Sequence, residues 1–166
     1  MEVAKKVCQE MLQQRNWIIS VVEETQIKGI TNDGKIYEIY FVLEPKLNIS
    51  NVKACIETTG QKIDHRIIVY NKNITPSAKK VINNFVESTF ELFTLNDLQF
   101  NITKHYLVPE HTMLSNEEAE QFKKSLGTDI PILHKTDKVC QFYNFPRGAI
   151  IKISRRDGGV GYRIVK

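Results

Sequence analysis

The chain has 166 residues, 42% of them hydrophobic and 25% charged, with only 8 glycines and 5 prolines; that apolar content can offset backbone ordering entropy, which excludes a disordered chain and leaves one domain or two small ones. No run approaches the ~18 uncharged apolar residues that span a bilayer, and Met1 leads straight into Glu2-Val3-Ala4-Lys5-Lys6 without an apolar leader, so a soluble, non-secreted protein with no membrane partner is expected. The formal charge of +4 is uneven: residues 1–95 carry 12 Lys/Arg against 11 Asp/Glu, whereas residues 145–166 carry 6 against 1, a basic C-terminus suited to nucleic acid or to an acidic protein surface.

Val3, Val7 and Met11, with Ala4, Cys8 and Leu12 one position on, predict an amphipathic helix from Glu2 to about Gln14. Strands are expected at Trp17–Val22 and Lys35–Leu43, the second preceded by the turn residues Asn32-Asp33-Gly34. Ser50 is expected to cap a short helix running to about Thr59 and stopped near Gly60, followed by a buried strand at Arg66–Tyr70. Thr75-Pro76 sets a capping hydroxyl before a proline at the first helical position. Val81, Ile82, Phe85, Val86, Thr89 and Phe90 follow at helical spacing, predicting the longest helix after the first. A loop around Leu95-Asn96-Asp97 suggests a domain boundary near residue 96, and Leu98–Ile102 reads as a strand. Ser115 and Glu118 form a capping box for a helix that buries Ala119, Phe122 and Leu126 and ends at Gly127. A short helical turn is expected at Lys138–Tyr143, and the strands Ala149–Ile153 and Tyr162–Val165, joined through Asp157-Gly158-Gly159, should pair as an antiparallel hairpin.

Glu44-Pro45-Lys46, at the end of a strand, is the pattern of half a Mg²⁺-dependent nuclease site, with Asp33 and Glu24 as candidate partners; the competing reading is a charged strand end stopped by proline. His105 and His111 are six residues apart across a proline, a spacing that fits neither a metalloprotease helix nor a zinc finger. Cys8, Cys55 and Cys140 are far apart with no C-x-x-C pair, which argues for reduced thiols rather than a disulfide framework or a zinc site. Phosphate-binding glycine motifs are absent, because Gly158-Gly159-Val160-Gly161 lies in a hairpin turn. Arg147, Lys152, Arg155, Arg156, Arg163 and Lys166 make a basic hairpin that reads either as a solvated face or as the binding edge of a free-standing nucleic-acid-binding protein.

Four blocks in order carry a resemblance. Asn101-Ile102-Thr103-Lys104-His105-Tyr106-Leu107-Val108-Pro109-Glu110-His111 looks like the N-I-T-x-H-x-L-V-P-x-H opening of the C-terminal domain of the fifth subunit shared by the eukaryotic nuclear RNA polymerases, a domain that is similar to a small archaeal RNA polymerase subunit. Ile74-Thr75-Pro76-Ser77-Ala78-Lys79 resembles that family's T-P-S-A helix start, Leu43-Glu44-Pro45-Lys46 its E-P-K strand end, and Pro146-Arg147-Gly148-Ala149-Ile150-Ile151-Lys152-Ile153 its K-R-G-x-x-x-K-I run. The resemblance runs from about residue 36 to the end. The chain departs from the pattern at Ile132, where an arginine is usual, at Asp137-Lys138-Val139, and in the shortened Asp157–Tyr162 turn.

The resemblance implies an α+β protein: an N-terminal α/β jaw domain, residues 1–95, with helices on a mixed sheet, and a small α+β assembly domain, residues 96–166. It implies a non-catalytic subunit of a DNA-directed RNA polymerase, with no cofactor, metal or small-molecule substrate. The partners implied are the largest polymerase subunit, other polymerase subunits and downstream duplex DNA held without sequence reading. Thr75, Pro76 and Ser77 are then the DNA-facing residues, while His105, Pro109, His111, Arg147, Gly148, Lys152 and Arg163 serve assembly. Because archaeal counterparts consist of the C-terminal domain alone, residues 1–95 imply a eukaryotic or large-DNA-virus protein, located in a nucleus, a cytoplasmic viral factory or a virion. The compact jaw, lacking a longer charged segment between its early strands, favours a viral or reduced polymerase.

Overall fold

Alternating helical and extended periodicity in the first hundred residues builds one α/β unit, and the strand-rich remainder builds another. In the computed structural model, which describes residues 1–57, 62–126 and 129–166, the units are Met1–Phe100 and Asn101–Lys166, each with its own core. This is the α+β class that the sequence led us to expect.

In the first unit, α1 (Glu2–Gln14) is followed by the strands β1 (Ile18–Val22), β2 (Gln26–Ile30) and β3 (Ile36–Phe41). The two-residue strand β4 (Lys46–Leu47) then leads into α2 (Ile49–Glu57), β5 (His65–Tyr70), a second two-residue strand β6 (Asn73–Ile74), α3 (Pro76–Asn84), β7 (Thr89–Thr94) and a 3-10 helix at Leu95–Leu98. The main sheet has the order β1-β2-β3-β5-β7, antiparallel up to β3 and parallel from β3 through β7. Register puts Ile27, Ile39, Ile67 and Glu91 in one row on one face, and Gln26, Tyr40, Ile68 and Leu92 in a row on the other. Tyr40 and Ile68 pack with Val52 and Cys55 of α2 and Ala78 and Ile82 of α3. On the opposite face, Arg15 just beyond α1 donates two hydrogen bonds to the Glu91 carboxylate, at 3.0 and 2.8 Å. Trp17 lies against Tyr37 and His65.

The second unit contains a 3-10 helix at Ile102–Lys104, β8 (Glu110–Met113), α4 (Asn116–Leu126), β9 (Ile132–Leu133), α5 (Lys138–Tyr143), β10 (Ile150–Ser154) and β11 (Val160–Val165). Its sheet has the order β8-β10-β11-β9, with β11 antiparallel to β10 and parallel to β9. Leu133, Cys140, Phe145, Ile151, Ile153 and Val165 form the core on the α5 face.

Several local expectations are corrected. Asn48, not Ser50, caps α2: its side-chain oxygen accepts from the Asn51 N–H at 3.0 Å while the Asn51 side chain accepts from the Asn48 N–H. The expected end of that helix, Thr59 and Gly60, and the Gly127 stop lie outside the described residues. α3 ends at Asn84, where Phe85 turns extended (ψ 119), so Thr89 and Phe90 belong to β7, and α4 with 11 residues is the longer helix. The Leu98–Ile102 strand is replaced by the two 3-10 turns, because the Thr94 and Asn101 side chains accept from the Asp97 and Thr103 N–H groups and curl the chain. The Ser115–Glu118 capping box is present, but Ala119 and Phe122 are only half-buried.

Candidate partner and nucleic-acid surfaces

The short parallel pair of β4 and β6 fixes two helix starts side by side. Lys46 sits opposite Asn73 and Leu47 opposite Ile74, and the Thr75 N–H donates to the Leu47 carbonyl at 3.0 Å. The Glu-Pro-Lys segment and the Thr-Pro-Ser segment, 31 positions apart in sequence, thus lie side by side. Thr75 caps α3 through Oγ1, which accepts from the Ala78 N–H at 3.3 Å, and the Ser77 hydroxyl donates to the same oxygen. Pro76 and Ser77 are exposed, as are Lys46, Lys72, Lys79 and Lys80. Two helix N-termini carry partial positive charge and open N–H groups, so with these lysines the surface suits a phosphate backbone.

The nuclease constellation is not assembled by Asp33. That residue pairs with Lys35 at 2.6 Å and accepts from the Thr31 hydroxyl, which holds its carboxyl down at about 2. It precedes β3 and Glu44 follows it, so a six-residue strand, ~20 Å long at the usual rise, lies between them. Among the described residues, no three His, Cys, Asp or Glu side chains come close enough to hold a metal. All three cysteines are buried free thiols, and burial pushes Cys8 and Cys55 up to about 12, where the thiolate nucleophile is scarce.

In the second unit the Tyr106–Pro109 segment runs beside the hairpin. A groove of about 620 Å³ is lined by Leu107, Val108, Pro109, His111, Ile130, Pro131, Ile153, Arg155, Tyr162 and Arg163, with Phe122 of α4 at one side. Leu107 is 70% and Tyr106 64% exposed, so two large side chains face solvent beside the groove. His111 donates from Nδ1 to the Pro109 carbonyl at 2.8 Å, which fixes the bend of the segment.

Of the residues singled out from the sequence, Pro109, His111 and Arg163 meet in this groove. His105 is outside its lining, exposed, with Nδ1 accepting from the Leu107 N–H at 3.3 Å. Arg147 and Gly148 stand at the bend before β10, where Gly148 takes a positive φ of 84° and donates to the Val165 carbonyl. Lys152 faces the α4 side near Glu118, whose carboxyl is held below its ordinary value first by the Ser115 N–H and hydroxyl and then by the Lys152 charge. The apolar lining from Leu107, Ile130 and Phe122 was not anticipated; the sequence signal was a Tyr-Leu-Val-Pro run too short and too proline-bound for a core element.

The described residues of this two-unit α+β chain present an apolar groove with arginines in the second unit and a lysine-bearing surface at two helix starts in the first. In comparison with known proteins, residues 100–165 match the RNA polymerase Rpb5, C-terminal domain family. Similarity extends through the first unit. The chain is 28% identical over 179 aligned positions, 97% of each chain, to a provisionally named DNA-directed RNA polymerase subunit of Invertebrate iridescent virus 6. It is 29% identical over 173 positions, 91% of this chain and 87% of the relative, to the rpabc1 subunit of DNA-directed RNA polymerases I, II and III of Dictyostelium discoideum. With RPABC1 of Caenorhabditis elegans it shares 32% over 136 positions, 76% of this chain and 64% of the relative.

Proposed function

We propose that the chain is a non-catalytic structural subunit of a multisubunit DNA-directed RNA polymerase. Its second unit docks on the largest subunit and the neighbouring polymerase subunits, and its first unit acts as a jaw that holds downstream duplex DNA. The observation that carries this reading is the similarity to polymerase subunits along both units, 97% of the chain in the viral case. The groove at Pro109, His111 and Arg163 supports the docking role. The paired helix starts at Asn48 and Thr75–Ser77, with Lys46 beside them, support DNA contact through phosphates, which positions a duplex without reading it. Such a subunit works in the nucleus or, in a viral setting, in a cytoplasmic factory or virion.

The division of labour is tested by expressing the chain without residues 1–95 in its source cell. The truncated chain is expected to enter the polymerase while transcription weakens; failure to assemble would contradict the assignment of docking to the second unit.

A further inference from the structure

The sheet of the second unit is incomplete along β11. The Ile164 N–H donates outward to the Pro131 carbonyl at 2.9 Å, at the edge away from β10. Backbone groups alternate in direction along a strand, so Tyr162 and Val160 point their N–H and C=O groups to that same edge, while Gly161 and Arg163 bond to β10. β9 covers this edge only opposite Ile164 and Val165. Among the described residues no strand pairs with Val160–Arg163 on this side; the groove reaches this edge at Ile130-Pro131 and continues over the sheet face that carries Gly161, Ile153 and His111.

The chemistry of the two walls differs. On the α4 side the groove offers Val160, Tyr162 and the Phe122 ring, which packs 4.2 Å from Tyr162. The remaining wall is apolar at Leu107, Pro109 and Ile153 and carries the exposed Arg155 and Arg163, the latter donating to the Ile132 carbonyl at 3.5 Å; of the lining acids Asp137 accepts from the Val139 and Cys140 N–H groups as the cap of α5, and Asp129 is exposed. Side chains of an extended peptide alternate between the two walls. An occupant with apolar residues on one side and carboxylates on the other satisfies both.

We infer that Val160 and Tyr162 receive an extended peptide segment of a polymerase partner subunit, alternating apolar and acidic residues, which adds as a strand to the open edge of β11. This rests on the proposed function and specifies how the docking is made: main-chain hydrogen bonds supply the affinity and alternate side chains the specificity.

Amide hydrogen exchange, measured on the free full-length chain and on the polymerase purified through it, tests the inference. In the free chain the Val160 and Tyr162 amides should exchange at least ~100-fold faster than those of Gly161 and Arg163, and should slow by a similar factor in the polymerase. Fast exchange at Val160 and Tyr162 in a complex that contains the chain overturns strand addition but leaves the subunit assignment standing. A chain that brings down no polymerase overturns both. Protection already present in the free chain, with a doubled mass, assigns the edge to a second copy and likewise overturns the inference. Val160→Pro, which deletes an edge donor, should cut recovery of the polymerase at least ~10-fold while Val160→Ala retains it; equal recovery by both variants counts against the main-chain bond.

Discussion

Arg15→Ala should unfold the first unit far more readily than its distance from any surface of interest suggests. Arg15 holds Glu91 through two hydrogen bonds of 3.0 and 2.8 Å, and the two side chains are only 2% and 12% exposed. The guanidinium also lies 5.0 Å from the centre of the Trp17 ring. Removing it leaves a carboxylate on the α1 face of the sheet without its cation. Breaking such a pair costs ~3–5 kcal/mol, and the lost ring contact adds ~1 kcal/mol. For a unit of this size 1 kcal/mol corresponds to ~4–8 °C, so a fall of at least ~12 °C in Tm is expected. Trp17 is the single tryptophan of the chain and sits in this cluster, so its fluorescence during urea unfolding reads the event directly. The double variant Arg15→Met with Glu91→Leu removes both charges and should lie within ~1–2 kcal/mol of the parent. A single variant within ~1 kcal/mol of the parent would refute the reasoning.

Other outcomes follow from the same geometry. Desolvation lowers the His65 pKa below its ordinary 6.5, so the unfolded chain binds the proton first; stability should fall as pH drops below 6.5, and His65→Phe should flatten a comparison of urea midpoints at pH 7.5 and 5.5. Thr75→Ala removes the cap of α3 and should cost ~1 kcal/mol by urea unfolding, with Thr75→Ser largely restoring it. Gly29→Ala would drive a Cβ into the Ile18 carbonyl and the Tyr37 hydroxyl, which bond each other across that glycine; a loss of ~1–3 kcal/mol is expected, and an unchanged midpoint would contradict the register of β1, β2 and β3. In polymerase–DNA binding titrations, Lys46→Ala should reduce the slope of log K against log[salt] by ~0.9, with no dependence on sequence.

Periodicity and burial made part of this fold legible. α1 shows its apolar stripe plainly, and β3 and β5 are apolar runs because neighbours cover both their faces. β2 gave no signal: Lys28 in Gln26–Ile30 is there to pair with the buried Glu38, and Gly29 to let Tyr37 cross. β7 was hidden because Phe90 continues the helical spacing of Ile82 and Phe85, although the chain turns extended at Phe85 and the two rings meet edge to face at 5.6 Å. The Leu98–Ile102 stretch has strand composition, yet the Thr94 and Asn101 side chains bend it. At the surfaces, the Thr75 cap could be read from a local motif. Its meeting with Lys46 depends on two strands of two residues each, too short to carry a pattern. The open edge of β11 depends on where β9 stops, which residues 160–163 alone do not encode.

Affinity purification of the tagged full-length chain from its source cell, with mass spectrometry of what it brings down, tests the central claim most directly. The account predicts the two largest RNA polymerase subunits in amounts comparable to the chain itself; recovery of the chain without them would contradict it.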